Sequence, residues 1–339
     1  MTERVGQTHD YGLDPAERFE PEDVEETFDL GRPHIMTALG PIAPGELGFT
    51  LHHEHVFARV PALAEEDPDL VLDDAEAALA ELELFYGAGG RAIVDMSPAD
   101  YGRDIAAISQ IAAYSPVKIV LVTGHHKHVH AAPYLGDDSI NQIAARAIRD
   151  LTEGIDGTST KAGVIKAGTG LNEITPVEER VLRAAARSHL ATGAPISTHT
   201  ERGTMALEQI AILLEESVDP TRVILGHMDH RLDEPYLRSV LATGAYVSLD
   251  QFSKTQYGPD ESRAAMAKTF VDAGYVDQLL ISGDLARKSK LRAFGGDPGL
   301  TYFLDRAPLI LMDAGLDAAT VHRLFVDNPA RALTITKPR

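Results

Sequence analysis

Two histidines lie two residues apart in the segment Leu51-His52-His53-Glu54-His55, at the end of an apolar run. Side chains at positions i and i+2 of a strand point to the same face. His53 and His55 can therefore bind one metal ion together, whereas His52 must point to the opposite face. The spacing alone also fits a histidine-rich strand end that binds nothing, so ligands elsewhere in the chain are needed to decide.

Further candidate ligands follow later runs of the chain that have the composition of strands. These short apolar or β-branched runs alternate with amphipathic helical segments, which predicts eight strand–helix units and a parallel sheet. The predicted strands are Leu47–His53, Arg91–Met96, Val117–Thr123, Ala162–Ala167, Ala194–Thr200, Arg222–Met228, Ala245–Gln251 and Leu279–Asp284.

In a closed parallel barrel, the carboxyl ends of all the strands meet at one rim, where barrel enzymes place their chemistry. Lysine is rarely buried in a barrel strand without a purpose, which makes Lys166 conspicuous. Each of the other candidates, taken alone, could equally be a helix cap, a turn former or a surface residue. Their common position on one rim is poorly explained by chance. The candidates are His53, His55, Lys166, His199, His227 and Asp284.

The predicted fold class is α/β, with a single (β/α)8 TIM barrel. Its 339 residues suit one large barrel. An open dinucleotide-binding sheet is disfavoured because the first strand ends in histidines instead of the glycine-rich fingerprint of that fold. Residues 1–33 are rich in acidic side chains and are predicted to form an acidic N-terminal extension, and residues 34–339 form the barrel. A short hairpin is predicted within Ile35–Phe49.

The helix predictions depend on apolar spacing and capping residues. Asp138–Leu151 carries apolar residues at helical spacing. Thr175-Pro176-Val177-Glu178 combines a capping threonine, a first-turn proline and the glutamate of a capping box, which predicts a helix start. Glycines after Asp73–Tyr86 are typical of a helix end.

Composition excludes several classes of function. A formal net charge of −20 argues against nucleic acid or an anionic membrane surface as a partner. The chain has no cysteine, so any metal must be held by histidine, carboxylate or an unusual ligand. No apolar stretch reaches the ~18 residues of a membrane span, and no secretory signal is recognisable, so a cytoplasmic enzyme is the expectation.

The ligand pattern resembles that of the phosphotriesterase-like family of the amidohydrolase superfamily. That family has His-x-His on its first barrel strand, lysine on the fourth, histidine on the fifth and sixth, and aspartate on the eighth. The likeness covers nearly all of the chain after residue 33. Matching stretches are Thr37-Ala38-Leu39-Gly40, Thr198-His199-Thr200, Gly226-His227-Met228-Asp229 and Asn328-Pro329-Ala330-Arg331.

The resemblance implies two divalent cations in each chain, with zinc expected and manganese or cobalt also compatible with these ligands. It implies that His53, His55 and Asp284 hold the more buried metal, and that His199 and His227 hold the more exposed one. Lys166 would be carboxylated by CO2 and bridge both, because a neutral amine can become a carbamate whose oxygens offset the metal charge. The implied reaction is hydrolysis by a hydroxide shared between the metals, with Asp284 as the catalytic proton carrier.

The expected substrate is a small anionic lactone, such as a phosphorylated sugar lactone. Triesterases and acyl-homoserine lactone hydrolases of the family usually carry an aromatic residue where this chain has His125-His126-Lys127. Triesterases also tend to have an acidic residue at the position of His230. The loops after the last two barrel strands commonly bind phosphate and are basic here. The expected substrate-binding residues are His126, Lys254, Tyr257, Arg287 and Lys288.

Three alternatives are also compatible with the sequence. The basic residues after the eighth strand could instead be solvated and paired with the protein's own acids. An organophosphate triesterase or an acyl-homoserine lactone hydrolase would use the same metals. A binding protein without turnover is a third alternative, disfavoured because it would not need both Lys166 and Asp284. The resemblance also implies a homodimer, although no stretch of sequence identifies an interface.

Overall fold

An antiparallel hairpin begins the barrel domain, as predicted. A computed structural model describes residues 28–60 and 65–336, so most of the predicted acidic extension lies outside the described residues. Strand β1 (Ile35–Thr37) pairs with β2 (Gly40–Ile42). The hairpin is joined to the amino end of a barrel strand by a hydrogen bond from the Ala38 N–H to the Ile119 carbonyl (2.7 Å). It therefore covers the end of the barrel opposite the candidate ligands.

Eight parallel strands form a nearly closed barrel and confirm the predicted fold class. Each barrel strand pairs with the next one along the chain, whereas an open doubly wound sheet would reverse its order near the middle. The barrel strands are β3 (Thr50–Glu54), β6 (Ala92–Asp95), β7 (Lys118–Gly124), β8 (Val164–Thr169), β9 (Ile196–Thr200), β10 (Val223–Gly226), β11 (Tyr246–Leu249) and β12 (Leu279–Ile281), and a small antiparallel pair is formed by β4 (Ala58–Arg59) and β5 (Val71–Leu72).

Strand register places the candidate ligands at one rim. Gly168 of β8 is paired with His199 of β9, and His199 is paired with Gly226 of β10. His227 is the next residue, so both imidazoles emerge at the same level. Because the strands are parallel and adjacent, this register holds their carboxyl ends together.

The barrel closes through a seam, the junction of β12 with β3. The Ser282 hydroxyl accepts a hydrogen bond from the His53 N–H (3.1 Å), and the Asp284 N–H donates to the His53 carbonyl (2.9 Å). Asp284 was predicted at the end of the last strand, but that strand ends at Ile281. Asp284 instead lies on a turn with φ of +47°, a left-handed conformation that is rare for residues other than glycine.

The helices surround the barrel, and the two helix ends predicted from capping residues have the expected chemistry. The Thr175 hydroxyl and the Glu178 carboxylate form a reciprocal capping box. The first helix begins after Asp74, which accepts from the Ala77 N–H, and ends at Gly89 with φ of +118°. The helices are α1 (Ala75–Ala88), α2 (Ile105–Tyr114), α3 (His128–Leu135), α4 (Ile140–Thr152), α5 (Pro176–Thr192), α6 (Ala206–Glu215), α7 (Glu234–Leu241), α8 (Asp260–Asp272), α9 (Tyr302–Asp305), α10 (Ala307–Asp313), α11 (Ala318–His322) and α12 (Asn328–Leu333).

The core has two parts. Inside the barrel, Val94, Val120, Val164 and Ile224 pack with Ile35 of the hairpin. A larger cluster lies between the strands and the surrounding helices. Among the described helices, none has both the length and the apolar character needed to cross a bilayer.

Candidate active site

His53, on β3, and His55, just after it, point toward the barrel mouth. The predicted opposite orientation of His52 is wrong, because irregular pairing of β3 between Leu51 and Glu54 interrupts the strand alternation. The His52 ring also lies on the interior side of the barrel, against a serine that donates to Asp250. The His52 Nε2 lies 2.7 Å from the Ser248 hydroxyl, inside the protein. The His55 Nδ1 lies 2.8 Å from the Ser97 hydroxyl. This contact leaves the His55 Nε2 free to face Asp284.

Asp284 converges with these two imidazoles. Its Oδ1 lies 3.3 Å from the His55 Nε2 and 3.8 Å from the His53 Nε2. One donor atom from each of the three residues lies within 4.8 Å of the other two, a spacing that could hold a metal ion. The other carboxylate oxygen, Oδ2, accepts from the Lys254 ammonium at 2.6 Å. Burial favours a higher pKa for Asp284, but Lys254 and the imidazoles hold the pKa well below its ordinary value.

Lys166 is buried beside this group. Its side chain rises from β8, the residue is 1% exposed, and its Nζ lies 3.4 Å from the His53 Nε2. Burial lowers the pKa of Lys166 to about 8, against an opposing effect of Asp284 and Asp250. A substantial fraction of the amine is therefore neutral near physiological pH, which is the form that can react with CO2.

His199 and His227 complete the row of imidazoles. Their ring centroids are 4.5 Å apart, and the His227 ring is 4.7 Å from the His53 ring. Burial lowers the pKa of His199 to about 3, so its ring is neutral and able to act as a ligand. The His199 Nδ1 is buried and has no hydrogen-bond partner among the described residues.

Asp250 orients two of the imidazoles from behind. Its Oδ1 lies 2.8 Å from the His227 Nδ1, and its Oδ2 lies 3.2 Å from the His53 Nδ1. The Ser248 hydroxyl also donates to the carboxylate at 2.7 Å. A carboxylate that holds the proton on Nδ1 fixes the tautomer and leaves Nε2 as the ligand atom. Asp250 therefore orients the rings of both imidazoles.

Glu54 acts as a clamp across the seam. Its buried carboxylate accepts hydrogen bonds from the Gly283 N–H and the Leu285 N–H, each at 2.7 Å. These two peptide groups lie on either side of Asp284. The clamp therefore holds the residue with positive φ in place, and the alternation of β3 explains why Glu54 is turned outward between two inward-facing histidines.

Glu201 is a site residue that the sequence did not reveal. Its Oε2 lies 3.0 Å from the His199 Nε2, and the carboxylate also forms an ion pair with Lys127. The hydrogen bond from His199 lowers the pKa of Glu201, and Lys127 adds to this effect against the opposing influence of burial. The only sequence signal that could have identified Glu201 was its position two residues after His199, a candidate ligand at the rim.

The candidate ligands open into a cavity of about 240 Å³ at the rim. Four of the five expected substrate-binding residues line it: His126, Lys254, Tyr257 and Arg287. Lys288 is not among the described residues that line this cavity. Its ammonium lies 3.5 Å from the Asp73 carboxylate. The Arg287 guanidinium lines the cavity but also pairs with Asp67 at 2.8 Å. Arg287 and Lys288 are therefore both paired with acidic residues of the protein itself, as one of the alternative interpretations of the sequence expected.

Aromatic and imidazole rings also line the cavity. The Tyr101 ring stacks on the His126 ring with centroids 5.1 Å apart, and the His126 ring lies 4.6 Å from that of His199. Nearer the mouth, His230 lies against Tyr257 at 4.4 Å. Tyr101 was missed because it lies on a short turn after β6, where no sequence pattern marks it.

The geometry agrees with the similarities to known proteins. Residues 33–333 match the profile of the Phosphotriesterase family. The chain is 33% identical over 285 residues to the phosphotriesterase homology protein of Escherichia coli (strain K12), covering 84% of this chain and 97% of that protein. It is 30% identical over 327 residues to a phospho-furanose lactonase of Mycoplasmopsis synoviae (strain 53), covering 89% of this chain and 92% of that protein.

A solved structure is also similar to this chain. The crystal structure of a lactonase from Listeria monocytogenes superposes with a TM-score of 0.85 at 39% sequence identity, covering 90% of this chain and 100% of that chain. The similarity therefore extends over the whole barrel and includes the rim.

Proposed function

Because this chain belongs to the phosphotriesterase family, we propose that it is a binuclear metal-dependent lactonase that opens small anionic lactones. The observation that carries the proposal is the convergence of His53, His55 and Asp284 beside a buried lysine. Several relatives of the chain are named as ester-hydrolysing enzymes, among them the lactonases described above. The finer choice of an anionic, phosphorylated sugar lactone is based on the composition of the cavity wall.

The donor set suits two divalent cations. His53, His55 and Asp284 would hold one of them, and His199 and His227 the other. Carboxylated Lys166 would lie between both. Neutral imidazoles and carboxylate oxygens suit zinc, and manganese or cobalt would also fit. The buried Nδ1 of His199 has no hydrogen-bond partner in the described part of the chain, and a bound ion could be that partner.

When bound, the two cations would supply Lewis-acid activation of water and of the carbonyl oxygen. Asp284 is positioned to move the proton. Its Oδ1 faces the histidines and its Oδ2 accepts from Lys254, and the carboxylate would take a proton from the attacking water and return it to the leaving ring oxygen. The low pKa of Asp284 keeps the carboxylate deprotonated before the reaction.

The anionic part of the substrate would lie between Lys254, whose ammonium also pairs with Asp284, and Arg287. Both are cationic, line the same cavity and belong to the loops after the last two barrel strands. Arginine offers a planar fork of donors to a phosphate, and lysine offers a point charge. His126 and Tyr257 would contact the sugar ring from the two sides of the cavity.

Arg287→Ala is expected to raise KM about tenfold for a phosphorylated lactone, since a charge-assisted hydrogen bond to phosphate contributes about 1.5–3 kcal/mol. The KM for the unphosphorylated analogue should change little. Steady-state kinetics with both substrates measures the difference. Lys288→Ala is the matched control, because it removes a neighbouring positive charge that lies outside the cavity lining. Equal changes of KM for the two lactones would refute the phosphate site.

Glu54→Gln is expected to lower the free energy of unfolding by about 2 kcal/mol, since a buried donor left unpaired costs about 1–3 kcal/mol. It should also reduce the metal retained per folded chain, because Asp284 loses its support. Denaturant unfolding and metal analysis of the purified protein provide the two measurements.

Glu81→Gln is the control for that experiment. The buried Glu81 carboxylate likewise accepts two backbone N–H groups, from Ala293 and Leu300 at 2.8 Å each, but away from the cavity. It should destabilise the fold without loss of metal. Full metal content in folded Glu54→Gln would show that the clamp does not position Asp284.

The alternatives are separated by activity and metal content. A triesterase or acyl-homoserine lactone hydrolase would prefer a neutral or acyl-chain substrate over a phosphorylated lactone in a panel of all three. A protein similar to this chain, 32% identical over 242 residues, is an aryldialkylphosphatase of Saccharolobus solfataricus, so an organophosphate belongs in that panel. A well-folded preparation with no divalent metal would favour the binding protein.

A further inference from the structure

A second cavity, of about 430 Å³, lies beside the candidate active site and is larger than it. It is formed between the carboxyl end of β7, the residues after β6 and the helix α4. The segment Thr123–His125 is part of its wall, and the next two residues, His126 and Lys127, line the candidate active site. The two cavities therefore share one short stretch of chain.

One face of α4 gives this second cavity an ordered set of charges. Arg146, Arg149, Asp150 and Glu153 all line it, at positions i, i+3, i+4 and i+7, which place side chains on one face of a helix. The arginines come first along the helix and the acids last. Positive charge therefore lies toward one end of the cavity wall and negative charge toward the other.

Two of these four side chains are free to meet a ligand. Among the described residues, Arg149 and Glu153 form no ion pair, although Arg146 pairs with Asp138 at 2.7 Å and Asp150 accepts from the Thr123 hydroxyl at 2.6 Å. Glu153 lies where α4 ends, and the carbonyl groups of a helix end favour a cation. The helix thus offers a cationic group and an anionic group within about one turn.

The interior of the cavity contains polar groups with incomplete partners. The Arg103 side chain is 2% exposed, and its Nη1 donates to the Val122 carbonyl at 2.6 Å. Its Nη2 lies 3.5 Å from Asp156, and its Nε has no partner among the described residues. The buried His125 Nδ1 lies 3.6 Å from Asp100 and forms no hydrogen bond with any residue that the structure describes. Buried polar groups of this kind are normally satisfied, so they indicate a missing partner.

We propose that this second cavity is a binding site for a small zwitterion of the α-amino-acid class. Its carboxylate would contact Arg149 and the interior Arg103, and its ammonium group would contact Glu153 and Asp150. A simple anion would meet the acids of the lining, and a simple cation would meet the arginines. A molecule with both charges satisfies both ends. The rings of His125 and Tyr134, 5.4 Å apart, would contact its side chain.

Tyr134→Trp provides a direct test, because the chain has no tryptophan and the new residue would be the sole indole. Its emission is titrated with L-glutamine, succinate and 1,4-diaminobutane as zwitterionic, anionic and cationic probes. L-Glutamine should change the emission saturably with a Kd below about 1 mM, and the other two probes should not. Calorimetry of L-glutamine binding to the unsubstituted chain checks that the new indole does not create the site.

Arg149→Ala and Glu153→Ala should each weaken L-glutamine binding at least about tenfold, since each removes one charge-assisted contact. Arg238→Ala is the matched control, because this arginine lies on the outer surface of another helix and pairs with Glu234. Binding of L-glutamine that survives both substitutions would overturn the proposal. So would the absence of saturable binding, or equal binding of succinate. All of these titrations are independent of lactone hydrolysis.

Discussion

Asp284→Asn is expected to lower kcat for lactone hydrolysis by about three orders of magnitude, since a positioned acid–base group contributes 10²–10⁴-fold. An amide can neither take the proton from water nor return it to the leaving oxygen. The substitution preserves size and shape, and the backbone support from Glu54 remains. Rapid-quench or steady-state kinetics of the purified variant measures the loss.

A control variant and stability measurements distinguish a loss of catalysis in Asp284→Asn from a loss of folding. Asp73→Asn is the control, because this aspartate also lies near the rim but pairs with Arg59 and Lys288 outside the cavity. It should retain nearly full turnover. Circular dichroism and thermal unfolding of Asp284→Asn should match the unsubstituted protein. Turnover within about tenfold of normal would rule out Asp284 as the proton carrier.

Lys166→Ala is expected to abolish measurable hydrolysis and to lower the metal content below two equivalents per chain. The substitution removes the group that would bridge both cations and leaves a space next to His53. Short carboxylic acids such as acetate or propionate should restore part of the activity, because a free carboxylate can replace the two oxygens of the carbamate. Unchanged metal content in the variant would contradict a bridging role.

The same lysine predicts a pH dependence in the unsubstituted protein. Only the neutral amine reacts with CO2, and burial lowers the pKa of Lys166 to about 8. As the pH rises toward that value, the neutral fraction increases about tenfold per pH unit and then levels off. Recovery of activity by metal-stripped protein with zinc, at a dissolved CO2 concentration held constant at every pH, should therefore accelerate from pH 6 to 8. A rate that falls over this range would exclude the carbamate.

The barrel and the convergence of the candidate ligands at its rim could be predicted because they depend on short-range patterns. Apolar runs of strand length recur at regular intervals, and the i, i+2 spacing places His53 and His55 on one face. The orientation of His52 could not be predicted in this way, because irregular pairing of β3 between Leu51 and Glu54 interrupts the alternation. Parallel pairing then forces the strand ends to one rim. Lys166 was conspicuous for a simple physical reason, namely the cost of burying its charge.

Other features could not be predicted because they depend on turns and on contacts across the barrel. Arg287 and Lys288 are consecutive, yet the short helical turn that begins at Lys288 separates their directions, so only Arg287 lines the cavity. The contacts of Asp250 with two imidazoles and of Glu201 with a third become evident only when neighbouring strands are in register. The position of Asp284 beyond its strand likewise depends on the Glu54 clamp.

The seam also has a consequence for biosynthesis. His53 and Ser282, which meet there, are separated by 229 positions. During translation, the first pair of imidazoles therefore leaves the ribosome long before the final carboxylate of their set has been made. Contacts between such distant residues form slowly because a long loop must close first. Tight capture of a cation by the proposed set would thus require synthesis through Asp284, and shorter nascent chains would offer only pairs of imidazoles.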